Sequence, residues 1–427
     1  MILFPKNKQP ELKPNQHLEV LETPFGVRAL YDSVSFCNRC GTCAQVCPSY
    51  HLSRNEIDSP RGRNQAIRLI LEGKLRPDVS VLQTSLAGCT LCGRCMQSCA
   101  GKIPTSDHVL EVYRWLDKPR LPILLHQLFS LRGSNPQKFA LLFRFILHIR
   151  FCWNIAAFIP GLNWLKQASK RITQTPKLLS KILQANIYEN KKNPNFIYVP
   201  SFEAEFLMPE IALSSIKLIA KKGKTICWLN TPCGLFEYVY GNLPQSKRLL
   251  RKFIRKHQSI ENGQVPLVTD SLDVYHFLQK APQLFAKYKR MHRQAEQFAT
   301  QVRYITDFFP EQITASFPDP VSLDYGTLFS RESHPIRQAH ILFKTLFKQN
   351  FVECGYTDFD TPAFGYAFTA GNLNSQIMFE LVKTIAQKQT KHIFTFSGLC
   401  ALELNTAFNT LYPAAKAQHI VHLADKI

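Results

Sequence analysis

The chain has 427 residues, of which 45% are hydrophobic, so it is long enough for two to four domains with a sizeable core. Its first residues, ILFPKNKQPELKPNQ, lack an apolar signal core and a small-residue cleavage site; this argues against secretion and for the reducing, cytoplasmic side. A net charge of +21 indicates an acidic partner, which could be nucleic acid, an anionic membrane surface or an acidic subunit.

We expect an extended lead-in, rich in Pro and Lys, over residues 1–30. Residues 31–117 form the next segment and hold two cysteine runs. Between the runs, QAIRLILEGKL has the apolar pattern of a buried helix. After the second run, SDHVLEVYRWL predicts another helix with Ser106 or Asp107 as its cap and an apolar face.

Eight of the thirteen cysteines lie in two runs with identical spacing, C-x2-C-x2-C-x3-C. The first run, CNRCGTCAQVCP, begins at Cys37, and the second, CTLCGRCMQSCA, begins at Cys89. In a reducing compartment, clustered cysteines are more often metal ligands than disulfides. Such a run directs three thiolates to one iron-sulfur cluster, and in two-run ferredoxins the fourth cysteine binds the other cluster.

We therefore predict two [4Fe-4S] clusters and assign no catalytic residue. The predicted ligands are Cys37, Cys40, Cys43 and Cys99 for the first cluster, and Cys89, Cys92, Cys95 and Cys47 for the second. Zinc ligands or unligated structural thiols are the alternatives. We find no Gly-rich nucleotide fingerprint and no flavin motif in the sequence, so such a conductor needs a donor and an acceptor supplied by other proteins.

The basic charge is concentrated in residues 118–192, which contain thirteen Lys or Arg and one acidic residue, Glu189, or about +12 of the +21. The most apolar part of this segment is Phe139 to Ile159. Arg144, His148 and Arg150 lie within it, and central arginines disfavour a membrane-spanning helix. We predict an interfacial or docking helix there, with an ordinary core helix as the alternative.

From about residue 193 the pattern changes to strands alternating with helices. NFIYVPS and KTICWLNT predict short buried strands on either side of the helix MPEIALSSIKLIAKKG, which Gly223 closes. A comparable unit follows, in which the helix SHPIRQAHILFKTLFKQ precedes FVECGYTDFD, and QIMFELVKTIAQKQ precedes the strand HIFTFSG. We predict two related α/β modules, residues 193–310 and 311–427.

The N-terminal sequence resembles the iron-sulfur subunits of glycolate oxidase (glycolate dehydrogenase). The segments that carry the resemblance are the first cysteine run, its continuation through DSPRGR (Asp58 to Arg63), and AGCTLCGRCMQSCAGKIP. The resemblance is close over residues 31–117. It implies a subunit that takes electrons from FAD-containing dehydrogenase subunits and passes them toward a quinone or another membrane acceptor. Arg61 and Arg63 would neutralise cluster charge or contact a partner; two solvated arginines opening a helix are the alternative.

The C-terminal half departs from that family, which carries two modules with paired cysteines in Cys-Cys-Gly. Here the first such position reads Pro232, Cys233, Gly234, and the second falls in Thr361 to Phe364, without cysteine. Family positions with single cysteines match Ser201, the region of Ser271, and Tyr325 or Gly326, while Cys400 is retained. The isolated thiols, for which we predict core packing, are Cys152, Cys227, Cys233, Cys354 and Cys400; a third cluster on Cys233, Cys354 and Cys400 is the minority alternative.

The expected fold class is α+β. It comprises a mainly helical, ferredoxin-like two-cluster domain over residues 31–117, a basic helical segment over residues 118–192, and two degenerate cysteine-rich α/β modules.

The predicted function is electron transfer for a flavin-linked 2-hydroxy-acid dehydrogenase. The alternatives are a subunit of a glycerol-3-phosphate or lactate dehydrogenase system, and a non-redox docking protein with structural clusters. Nucleic-acid binding is disfavoured because no regular aromatic platform is present. The expected location is cytoplasmic, or peripheral on the inner face of the cell membrane.

Overall fold

The computed structural model describes residues 21–23, 26–28, 30–76, 80–115, 131–132, 138–139, 141–143, 145, 194–222, 225–229, 231–239, 242–310, 317–326, 333–353 and 372–426. The chain divides into two compact units, Met1–Cys89 with Gly93–Lys118, and Thr90–Cys92 with Pro119–Ile427. Most of the predicted lead-in and most of the basic segment lie outside the described residues, as do Cys152, Cys354 and Gly223.

The first unit is mainly helical. Strands β1 (Leu21–Thr23) and β2 (Gly26–Arg28) form a short antiparallel ribbon. The helices that follow are α1 (Leu30–Ser35), α2 (Pro48–Ser53), α3 (Pro60–Leu71), α4 (Ser80–Ala87), α5 (Arg94–Gln97) and α6 (Thr105–Trp115), with 3-10 turns at Thr42–Val46 and Glu56–Asp58.

Helices α3 and α6 are the two that the apolar patterns predicted between and after the cysteine runs. Helix α3 buries Ile67 and Ile70, and α6 buries Val109 and Leu110. Helix α6 begins at Thr105, so the predicted caps lie inside its first turn, one or two residues past the start. Together these helices supply the apolar core of the first unit.

A buried histidine links three elements of this core. The ring of His108, on α6, is fully buried and donates from Nδ1 to Asn64 Oδ1 at 2.8 Å, while the Ser33 hydroxyl donates to its Nε2 at 2.8 Å. Both ring nitrogens are thus satisfied in the neutral form. Burial lowers the pKa of His108 to about 4, against the opposing effect of Asp107. The folded unit therefore resists protonation of this ring.

Because of His108, we expect the free energy of unfolding of the first unit to fall as the pH is lowered from about 7.5 to 5.5. The unfolded chain binds a proton at His108 below about pH 6.5, whereas the folded chain does so only near pH 4. Between about pH 7.5 and 5.5 this group should cost about 1 kcal/mol of unfolding free energy. Urea denaturation at several pH values should show a smaller pH dependence for His108→Gln. As a control, Ser33→Ala should lower stability at each pH and keep the dependence; an unchanged dependence in His108→Gln would contradict the assignment.

The second unit contains two parallel sheets flanked by helices. In the first sheet, β3 (Phe196–Val199), β4 (Ile226–Trp228), β5 (Leu267–Thr269) and β6 (Val302–Tyr304) are ordered β4-β3-β5-β6. The second sheet is ordered β7-β8-β9, from β7 (Val321–Asp324), β8 (His392–Thr395) and β9 (Lys416–His419). The helices are α7 (Phe202–Phe206), α8 (Pro209–Lys221), α9 (Leu235–Val239), α10 (Leu243–Gln258), α11 (Leu272–Gln279), α12 (Ala281–Leu284), α13 (Lys289–Ala299), α14 (His334–Phe347), α15 (Asn372–Gln387) and α16 (Gly398–Leu411).

The predicted strands in NFIYVPS, KTICWLNT and HIFTFSG are β3, β4 and β8. Of FVECGYTDFD, Phe351 makes a single parallel bridge to Val321, and residues 354–360 lie outside the described residues. Helices α8, α14 and α15 lie where the apolar patterns placed them.

Buried polar groups join the two sheets at the carboxyl ends of their strands. Glu203 accepts from the Ser397 hydroxyl and from the Gly398 N–H, each at 3.0 Å. The Nε2 atom of His419 contacts the Asp270 carbonyl at 3.0 Å. Burial raises the pKa of Asp270 to about 7, against the effect of the hydrogen bond from a tyrosine. These contacts tie strands of one sheet to helices and strands of the other.

Parts of the basic segment belong to the second unit and pack against α7. Phe139 and Phe143 are buried, and their rings contact Phe206 and Phe202 at centroid distances of 5.4 Å in each case. Within the same stretch, Leu141, Leu142 and Phe145 are exposed apolar side chains. No helix in the described ranges is long and apolar enough to cross a membrane; most of Phe139 to Ile159 lies outside those ranges.

Candidate metal centre

The two cysteine runs adopt the same local backbone. In each run the residue before the second cysteine has a positive φ, 57° at Arg39 and 48° at Leu91. The glycine after that cysteine is also left-handed, with φ of 88° at Gly41 and 71° at Gly93. A short helical turn follows, Thr42–Val46 in the first run and α5 in the second. The repeated spacing therefore folds into a repeated loop.

Cys43 is the point where the two runs meet. The Thr42–Val46 turn of the first run packs against α5 of the second. Burial, together with the negative charges of Cys37, Cys47 and Cys99, raises the pKa of the Cys43 thiol to about 11. Cys99 belongs to the second run. Cys37, Cys43 and Cys99 are three of the four residues assigned to the first cluster.

Cys40, the fourth residue assigned to the first cluster, is exposed. The Thr42 hydroxyl lies 3.4 Å from its sulfur, and hydrogen bonds from the Thr42 side chain and backbone lower the pKa of Cys40. A lowered pKa favours the thiolate, which is the form that binds iron.

Cys47 is buried at the start of α2, where Pro48 occupies the first helical position. Its sulfur lies 3.2 Å from the Ser49 hydroxyl and 3.8 Å from Nη1 of Arg63. The negative charges of Cys89, Cys47 and Asp58 raise the pKa of Arg63 and together outweigh the larger single effect of burial, which lowers it. The guanidinium thus lies beside Cys47, which was assigned to the second cluster.

Cys89, Cys92 and Cys95 are half-buried, and the assignment of Cys92 and Cys95 to the second cluster rests on their spacing. Within the described ranges, no three His, Cys, Asp or Glu side chains are arranged to hold a single metal ion. A [4Fe-4S] cluster has a different requirement, because its four thiolates bind different iron atoms. The converging thiols and the repulsion among their charges fit such a cationic iron centre.

The DSPRGR segment begins α3 and contacts the first run. Ser59 caps the helix by accepting from the Gly62 N–H at 2.9 Å, and the backbone N–H of Arg61 acts on Cys43 to lower its pKa. The Arg61 side chain donates to Glu56 at 2.6 and 2.9 Å, and its Nη1 donates to the Arg39 carbonyl at 3.4 Å, so it lies beside the first run. The sequence analysis predicted the same roles for Arg61 and Arg63. It also missed Ser59, whose position before Pro60 is a recognisable helix-start signal.

The C-terminal thiols have different surroundings. Burial raises the pKa of Cys227, that of Cys233 to about 11, and that of Cys400 well above its ordinary value. The Cys400 sulfur contacts the Gly326 carbonyl at 3.8 Å. Cys400 is buried and Cys227 and Cys233 are half-buried, and protonated thiols in such positions pack as small apolar groups. The minority alternative of a third cluster needs Cys354, which lies outside the described residues.

Comparison with known proteins agrees with the N-terminal geometry. Residues 33–103 match a 4Fe-4S dicluster domain. The chain is similar to the glycolate oxidase iron-sulfur subunit of Escherichia coli (strain K12), with 39% identity over 64 residues. That alignment covers 15% of this chain and 15% of the relative. The chain therefore contains an iron-sulfur domain of the electron-transferring kind, and the likeness lies within that part of the chain.

Proposed function

We propose that the chain is the electron-transfer iron-sulfur subunit of a flavin-linked glycolate (2-hydroxy acid) oxidase or dehydrogenase, carrying electrons from FAD-containing subunits toward a quinone. The observation that carries the proposal is the packing of the two runs against each other, with the Thr42–Val46 turn of the first run in contact with α5 of the second. The similarity to the glycolate oxidase iron-sulfur subunit supports the choice of system.

Eight thiolates would hold the two [4Fe-4S] clusters, which exchange single electrons when bound. The first set is Cys37, Cys40, Cys43 and Cys99, and the second is Cys89, Cys92, Cys95 and Cys47. Each run contributes ligands to both sets, so the two sites would lie close enough for rapid exchange. The exposed Cys40 loop would be the face at which a partner approaches the first site.

The C-terminal modules would serve as scaffold and partner-binding surface. Ser201 and Ser271, at or near positions that carry cysteines in the resembling family, cap α7 and α11 by accepting from Ala204 N at 3.1 Å and Val274 N at 3.3 Å. These hydroxyls have a structural use that needs no metal. The exposed Leu141 and Phe145 support contact of the basic segment with an apolar partner or with a membrane surface.

The proposal is tested with the complex of this chain and its FAD-containing subunits. Glycolate should bleach the visible iron-sulfur absorption and produce a low-temperature paramagnetic signal, and quinone should reoxidise the protein. Cys92→Ser should stop electron flow to quinone, because it removes a predicted cluster ligand. The matched substitution Cys233→Ser, at a half-buried thiol outside the runs, should leave reduction nearly intact.

Parallel assays with lactate and glycerol-3-phosphate separate the related systems. If glycolate fails and one of these reduces the clusters, the substrate is wrong and the electron-transfer role stands. If no substrate reduces clusters that are present in the assembled complex, a structural role replaces the redox role. Loss of turnover in Cys233→Ser with both clusters retained would show that the C-terminal half is redox-active.

A further inference from the structure

Arg63 is a buried cation held in one orientation. Its side chain is 1% exposed. Its Nε donates to the Ser85 carbonyl at 2.9 Å and its Nη2 to the Ser49 hydroxyl at 2.9 Å. Its Nη1 is then 3.8 Å from the sulfur of Cys47. The guanidinium has two neutral anchors, and its third nitrogen is directed at a thiol.

A buried charge needs an opposite charge nearby, since an uncompensated one is strongly destabilising. Asp58 is at the edge of ion-pair distance, 3.9 Å, and its side chain is about a quarter exposed. The sulfur of Cys47, 3.8 Å from Nη1, is the other neighbour that carries negative charge as a thiolate. Cys47 belongs to the second predicted cluster.

Arg61, two residues earlier, is in the opposite situation. It is bound by both carboxylate oxygens of Glu56, and a third of its side chain is exposed. Its charge is offset by that carboxylate and screened by water. Its Nη1 also donates to the Arg39 carbonyl of the first run at 3.4 Å. The cation beside the first run is thus paired with a carboxylate and partly solvated, whereas the cation beside Cys47 is buried.

Resting on the proposed two-cluster function, we propose that Arg63 is a positioning residue of the second cluster, which fixes Cys47 and makes that cluster easier to reduce than the first. Net charge, hydrogen bonds to sulfur and burial set the potentials of such clusters. A buried cation 3.8 Å from a ligand sulfur stabilises the additional negative charge of the reduced state. An electron delivered to the pair would then reside mainly at the second site.

The test is a redox titration of the purified cluster-containing protein, followed by low-temperature paramagnetic resonance. Arg63→Gln should shift the equilibrium for sharing one electron between the clusters about tenfold toward the first. For a one-electron couple this equals about 59 mV in the potential of one cluster. Arg63→Lys should restore most of the difference because it keeps the charge. Arg68→Gln is the matched control on the same helix: the Arg68 charge is paired with Glu72 at 2.8 Å, so both potentials should stay unchanged.

A milder substitution keeps the test decisive if Arg63→Gln does not assemble. Asp58→Asn removes the partial counter-charge at 3.9 Å, so it should make the same cluster easier to reduce, opposite in sign to Arg63→Gln. The inference is overturned if a substitution shifts the potentials of both clusters equally. It is also overturned if a variant that retains both clusters changes neither potential. Protein that binds zinc without sulfide would instead refute the proposed function, so the two failures are distinguishable.

Discussion

Replacing Cys43 with Ala should reduce the iron and acid-labile sulfide of the purified protein by about half, from about eight to about four of each per chain. Cys43 is a predicted ligand of the first cluster, and its neighbours Cys37, Cys47 and Cys99 show that it lies among other thiols. Losing one ligand should remove that cluster and leave the second. The half-buried Cys227 lies outside the runs, so Cys227→Ala should keep the full content.

Double substitutions decide how the two runs share their ligands. If the fourth cysteine of each run binds the other cluster, Cys43→Ala with Cys99→Ala removes two ligands of one cluster, and about four irons remain. Cys43→Ala with Cys47→Ala then removes a ligand from each cluster, and almost no iron remains. Ligation within each run predicts the reverse order. Iron and sulfide assays on the two double variants therefore give opposite answers for the two arrangements.

The elements that the sequence predicted are those with clear apolar periodicity. Helix α3 and strands β3 and β8 have such patterns, with buried residues where the patterns placed them. Strands β6 and β9 were missed because VRY and KAQH mix polar and apolar residues over three or four positions. Such strands are defined by pairing with β5 and β8, and pairing between distant segments leaves no local pattern.

Some residues of the metal centre could likewise be identified from local sequence, and others could not. The cysteines could be identified from their spacing, because the spacing itself is what the ligand loop requires. Arg63 could not be assigned to the second set, since its partners Ser49 and Ser85 lie 14 and 22 residues away. Arg61 and Arg63 are two positions apart on one helix and so point to different sides, which is what separates their roles.

The largest loss of stability from one added methyl group is expected for Gly62→Ala in the first turns of α3. A Cβ there would lie 2.0 Å from the Glu56 carbonyl oxygen and 2.9 Å from its carbon, which are backbone atoms that cannot rotate away. Helix α3 would have to move from the Glu56–Asp58 turn, weakening the Ser59 cap on the Gly62 N–H. We expect a cost of about 3 kcal/mol, as for severe overpacking.

This displacement should also reach the metal centre, because the same turn directs the Arg61 backbone N–H at Cys43 and places Arg63 beside Cys47. Iron content should therefore fall together with the urea midpoint. Gly73→Ala is the matched control: its φ is 71°, but nothing lies within 4 Å of the added carbon. Left-handed strain alone should cost about 1 kcal/mol there and leave the iron content unchanged. Equal effects of the two substitutions would mean that the contact with Glu56 relaxes freely, and the steric explanation would be wrong.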